Sequence, residues 1–121
     1  MTGRKEIFDL LKTTRELDVS TRGKIREEWD LGLMMEALNI LDEEYERLME
    51  RYGVRGCDSF DYRMFILLHN KLLGIDQLKN ILKYACGEEI FPEIKRPLVG
   101  IIVEYYHFIE GHIKEDGEAT A

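Results

Sequence analysis

The stretch DLGLMMEALNILDEEYERLMERYG, residues 30–53, decides the fold. Leu31, Met34, Leu38, Leu41, Tyr45, Leu48 and Tyr52 advance alternately by three and four residues. That is the spacing of the a and d positions of a heptad, and it sets all of these side chains on one face of an α-helix. Such a face packs along another helix at a shallow angle. Leu33, Ala37 and Ile40 widen the apolar arc to about 220°, against the ~100° of an ordinary surface helix. Cover is therefore required on more than one side, from the other helices of a monomeric bundle or from a second copy of the chain in a two-fold dimer. The stripe from Leu31 to Tyr52 is the candidate interface. Gly32, Glu36, Asn39, Glu43 and Glu50 form a polar strip that stays wet in either arrangement.

Working outward, the periodicity predicts that this helix runs over about 21–52. Ile25 and Trp29 point away from the stripe, toward Gly32 and Glu36, which calls for a bend, break or change of partner close to Gly32. A first helix is predicted over about 3–17, with Ile7, Leu10, Leu11 and Leu17 inward. Gly53, Gly74 and Gly87 each follow an apolar-periodic stretch, where glycine takes the left-handed conformation that ends a helix. Asp58 or Ser59, and then Asp76, are placed to cap the next starts. Helices over about 59–73 and 76–86 follow, with a last one from about 92 or 97 to 114. Pro97 either opens that last helix or kinks one begun at Pro92. The segment LVGIIVEYYHFI has the composition of a strand, yet Leu98, Ile101, Ile102, Tyr105, Ile109 and Ile113 recur at helical spacing, and the pattern decides for helix. The expected fold is all-α: a compact bundle of about five helices in a single domain over 1–121, with one long central helix and a disordered tail over 115–121.

Composition narrows the function classes. Hydrophobic residues at 45% and charged residues at 34%, with two prolines, describe a globular chain and not a disordered one. No window reaches the ~18 uncharged apolar residues of a membrane span, and the start MTGRKEIFDLLK lacks the apolar core of a signal peptide, so a cytoplasmic location is expected. Cys57 and Cys86 make neither a Cys-x-x-Cys nor a zinc-site spacing, and that location favours reduced thiols over a bridge between them. The net charge of −7 disfavours general binding to nucleic acid or anionic membranes. It is unevenly spread: residues 1–26 carry seven Lys/Arg against four Asp/Glu, and residues 27–62 carry three against eleven.

The candidate chemistry sits in EYYHFIEGH, residues 104–112. Glu104 and His107 repeat the Glu-x-x-His pair that di-iron bundles direct inward. That architecture needs two such pairs and two further glutamates, so one copy per chain would require a dimer. On a helix His107 points away from the Leu98, Ile102 and Ile109 face while His112 lies on it, about 140° away, so the two histidines do not share an ion. Packing or solvent contact is the reading for these histidines, and neither a metal nor a cofactor is expected. His69, in FDYRMFILLHNKLLG, reads as a core histidine with a hydrogen-bond partner. No nucleophile arrangement, phosphate-cradling glycine loop, HExxH or EF-hand series occurs. The carboxylates of DEEYERLME read as a solvated helix face.

Three functions compete on these residues. The first is a small acidic helical module for protein–protein interaction or assembly, self-associating and without catalysis. A groove lined by Met34, Met35 and aromatic residues would serve it, since methionine adapts to varied partners. The second is a subunit of a nucleoprotein complex that sets Arg15, Arg22, Lys24 and Arg26 against a phosphate backbone. The string STRGKIREEWD, residues 20–30, resembles a stretch in the small helical subunit of type III CRISPR effector complexes. That resemblance covers eleven residues, implies a nucleoprotein setting, and runs against the acidic net charge. The third is a dimeric metal-binding protein built on Glu104 and His107. A small-molecule pocket among the tyrosines and His69 would leave little trace in the pattern.

Overall fold

The computed structural model describes residues 3–21, 24–52, 62–85 and 91–112. Its helices are α1 (Arg4–Thr21), α2 (Lys24–Glu27), α3 (Leu31–Tyr52), α4 (Tyr62–Ala85) and α5 (Phe91–Ile109), the last ending in a 3-10 turn over Glu110–His112. Among the described residues there is no strand, and the expected all-α bundle of five helices is what forms. The expected caps and stops at Gly53, Asp58, Ser59 and Gly87, both cysteines, Arg22, Ile113, the 115–121 tail and the Tyr52 side chain lie outside the described residues.

The long helix starts at Leu31, ten residues later than its periodicity suggested, and the reason is local. Asp30 is its N-cap: the side-chain Oδ1 accepts from the Leu33 amide at 2.7 Å, and the Asp30 carbonyl accepts the first helical bond from Met34 at 3.0 Å. Just before it, the amides of Glu28 and Trp29 donate to the carbonyls of Ile25 and Arg26 at 3.1 and 3.3 Å, closing the single turn of α2. This break turns Trp29 inward, where it is fully buried. Its indole N–H donates to the Thr14 hydroxyl at 3.3 Å, and that hydroxyl donates to the Leu10 carbonyl at 2.7 Å. Both buried polar groups are thereby satisfied, as a low-dielectric interior requires.

Packing centres on α3 and α5. The most extensive pairing in the bundle is α4 along α3, while α5 packs on each of the other helices. Met34, Ala37, Leu38, Leu41 and Tyr45 are fully buried, Leu48 is nearly so, and Leu31, Leu33 and Ile40 are half-buried against the same core. The cover that the wide arc demands thus comes from within one chain. From α5 the core receives Leu98, Val99, Ile102, Val103, Tyr106 and Ile109. From α1 it receives Ile7, Phe8 and Leu11, with Phe8 stacked on Tyr106 at 5.8 Å. Two expected inward residues turn out: Leu17 and Ile101 are more than 40% exposed, because the buried faces of α1 and α5 are rotated toward Phe8 and Val103. Pro97 lies inside α5, so the helix begun near Pro92 continues through it.

Ion pairs tie α1 and α4 to α3. Arg4 bridges Glu43 at 2.8 Å and also Glu44, which Arg47 holds from the other side. Glu44 is buried, and two guanidinium partners are what make a buried carboxylate tolerable. The two carboxylates raise the Arg4 pKa, more than offsetting partial burial, which acts to lower it. Lys79 of α4 meets Asp42 at 2.7 Å.

The predicted stop at Gly74 is not a stop. α4 runs through it without a break, and Asp76 sits exposed inside the helix instead of capping a new one. The glycine is there for space: a Cβ on Gly74 would collide with the Tyr105 hydroxyl and lie 3.2 Å from Cζ of that ring. Gly74→Ala should therefore lower stability, since overpacking costs about 1–3 kcal/mol and exceeds the ~1 kcal/mol that alanine gains over glycine in a helix. Tyr105→Phe removes the hydroxyl and should restore most of the loss in the double variant; denaturant unfolding of the four proteins measures that coupling.

Candidate functional site

With its inner face committed to α3 and α5, α4 presents an unusual outer face. Its sequence is apolar nearly all round, and Ile66, Leu67, Leu73, Ile81 and Tyr84 are exposed there, Tyr84 at 83%. Between these lie Asn70, Gln77 and Asn80, also exposed. Positions 66, 70, 73, 77, 80 and 84 advance by three and four, so they form one strip, and it contains no charged residue. At 1.5 Å per residue the strip is about 27 Å long. Exposed large apolar side chains grouped on one helix face mark contact sites on soluble proteins, and here they alternate with neutral amides.

Beside the strip, α3 and α4 form a groove of about 460 Å³ lined by Met49, Phe65 and Leu72 at its base and by Glu46 and Glu50 on the α3 side. It is not the expected groove on Met34, Met35 and aromatic residues, because Met34 is in the core and Met35 is half-buried against it. His69 is exposed on α4 and is not the core histidine expected from its apolar neighbours. Those neighbours divide between core and outer strip, and His69 falls on the wet side. The strip spans both sides of Gly74, so a helix stop expected at that glycine divides its pattern in two. The available signal was an uncharged three-and-four spacing through ILLHNKLLGIDQLKNILKY, residues 66–84.

The heptad stripe proposed as an interface is core in this chain from Met34 to Leu48, as described above. Of the four cations of the nucleic-acid alternative, three lie among the described residues, and two of these have partners on α5. Arg15 contacts His107 Nε2 at 2.9 Å, Arg26 donates to the Arg96 carbonyl at 3.2 Å, Lys24 is exposed, and Arg22 lies outside the described residues. Two of the four are thus engaged in holding α1 and α2 to α5. His107 is exposed, as its helical position predicted. Because a guanidinium can only donate, Nε2 accepts from Arg15, and Nδ1–H donates to Glu110 Oε1 at 2.9 Å. Both ring nitrogens are engaged without Glu104, which faces a separate cleft. No group of three or more His, Cys, Asp or Glu among the described residues is arranged to hold a metal ion, and no helix among them is long and apolar enough to cross a membrane.

In comparisons with known proteins, no family model, curated sequence or solved structure matches the chain.

The most strongly perturbed group among the described residues, Tyr45, is internal. The Tyr45 hydroxyl donates to the Tyr105 carbonyl at 2.7 Å, its ring stacks on Phe108 and meets Tyr105 edge-on. Burial, with a smaller contribution from the neighbouring Tyr105, pushes the Tyr45 pKa well above its usual value, and burial also raises that of Tyr105. Above about pH 10 the unfolded chain releases these protons while the folded chain keeps them, so stability falls as pH rises through that point. Tyr45→Phe should flatten the alkaline fall in the denaturation midpoint, even though losing the hydrogen bond lowers stability near neutrality by about 1 kcal/mol.

Proposed function

We propose that this chain is a protein-interaction and assembly module whose contact surface is the outer strip of α4, and that a second copy of the chain is its first partner. The observation that carries the reading is the exposure of Ile66, Leu73 and Tyr84 on one strip without charged positions, with Leu67 and Ile81 exposed beside it. Burying apolar area at roughly 25 cal/mol per Å² is the driving force available to such a face, and no charge has to be desolvated to use it.

The pattern of the strip favours self-pairing. In an antiparallel pair about position 75, Ile66 faces Tyr84 of the other copy, Asn70 faces Asn80, and Leu73 faces Gln77. Apolar groups then meet at both ends, an Asn pair follows on each side, and Leu73 lies opposite Gln77 at the centre. Amide pairs within an apolar seam select one register over its neighbours. A two-fold pairing of this kind is isologous, so each helix supplies both halves of the contact. The adjoining Glu46 and Glu50 rim lies outside the strip and remains hydrated.

Sedimentation equilibrium at micromolar concentration tests this. The wild-type chain should show a reversible monomer–dimer equilibrium, and Leu73→Glu with Ile81→Glu should return it to monomer with unchanged helical circular dichroism. A wild-type chain that is monomeric throughout would remove self-assembly.

A further inference from the structure

On the other flank of α4 lies a cleft of about 420 Å³, bounded by Arg26 of α2, Lys71 of α4, and Pro97, Gly100, Ile101, Glu104 and Tyr105 of α5. It lies within the size range of small-molecule sites. We propose that it binds a small zwitterion of the α-amino-acid type with an apolar side chain, a role independent of the α4 strip.

Two glycines shape the polar walls. The Arg26 guanidinium lies against Gly100, where a Cβ would come within 2.5 Å of Nη1 and 3.0 Å of Cζ. The Tyr105 hydroxyl is seated against Gly74 in the same manner. Any side chain at either position would push a polar tip out of place, so both tips are positioned by the backbone that faces them.

The charges of the cleft are the second observation. The Lys71 ammonium lies over the rings of Tyr105 and Phe108, at 5.5 and 5.0 Å from their centroids, and among the described residues no carboxylate is within ion-pair distance of it. Glu104 lines the same cleft and likewise has no cationic partner among the described residues. A cation and a carboxylate thus face one space without touching each other. A ligand that carries both charges satisfies both: its carboxylate meets Lys71 on the Arg26 side, and its ammonium meets Glu104. Its side chain then rests on Ile101, which is 43% exposed, and on Pro97. A simple anion would leave Glu104 opposing it, and a simple cation would face Lys71 and Arg26.

The test is titration of the full chain with L-leucine, followed by amide NMR, with 4-methylpentanoate and isopentylamine as probes lacking the ammonium and the carboxylate. Leucine should give saturable shifts concentrated in residues 97–105, with both analogues at least about tenfold weaker, as expected for losing one charged hydrogen bond. Lys71→Met, which keeps the stem over the rings, and Glu104→Gln should each weaken leucine binding by about tenfold while leaving the thermal midpoint near wild type. Lack of saturable shifts at millimolar leucine would overturn the proposal. So would binding indifferent to both substitutions, or 4-methylpentanoate binding as tightly as leucine.

Discussion

The constraint that organises this molecule is the width of the apolar arc on α3. One helix–helix contact covers a narrow seam, so both α4 and α5 pack on α3, and Tyr45 of α3 makes the link to α5. Tyr45 reaches α5 by its hydroxyl and by two ring contacts, and Tyr105, which it meets edge-on, carries its own hydroxyl onward to the backbone of α4 at Gly74. Close approach of α4 and α5 therefore depends on a glycine in a position where propensity alone would favour another residue.

The N-terminal elements attach by a different chemistry. α2 is a single turn, too short to be stable by itself. It is held by polar links: Arg26 to the Arg96 carbonyl, Lys95 to the Glu27 carbonyl at 2.6 Å, and a longer Arg96–Glu27 ion pair at 3.9 Å. Trp29 anchors the end of that turn in the core, with Thr14 as its partner. The exposed Arg96–Glu27 pair adds little by itself, whereas the paired, buried Glu44 and the satisfied indole would leave orphaned polar groups if either partner were lost.

These attachments leave α4 with two unlike flanks. Toward solvent it offers an uncharged strip, suited to another helix. Toward α5 and α2 it offers Lys71 at the edge of a cleft with mixed charge, suited to a small polar ligand. The two surfaces lie on separate sides of one helix and draw on separate residues, so occupation of one does not require the other. Both arise because α4 is apolar almost all round while the core uses only one side of it.

Helix was legible because its signal is local. A period of three and four residues is contained within each segment, so the α3 stripe and the helical state of the valine- and tyrosine-rich α5 could be read from spacing, and the divergent direction of Ile25 and Trp29 marked a bend, break or change of partner close to Gly32. Even Asp30 bore a recognisable cap signature, one the apparent continuity of the long helix obscured. Tertiary contact decided what spacing leaves open: that Gly74 lies mid-helix under the Tyr105 hydroxyl, that His69 is wet, that Leu17 and Ile101 turn outward, and that Arg15 and Arg26 bind α5. Each of those depends on residues distant along the chain, whose approach sets which side of an all-round apolar helix is buried. Local periodicity carries no information about that choice.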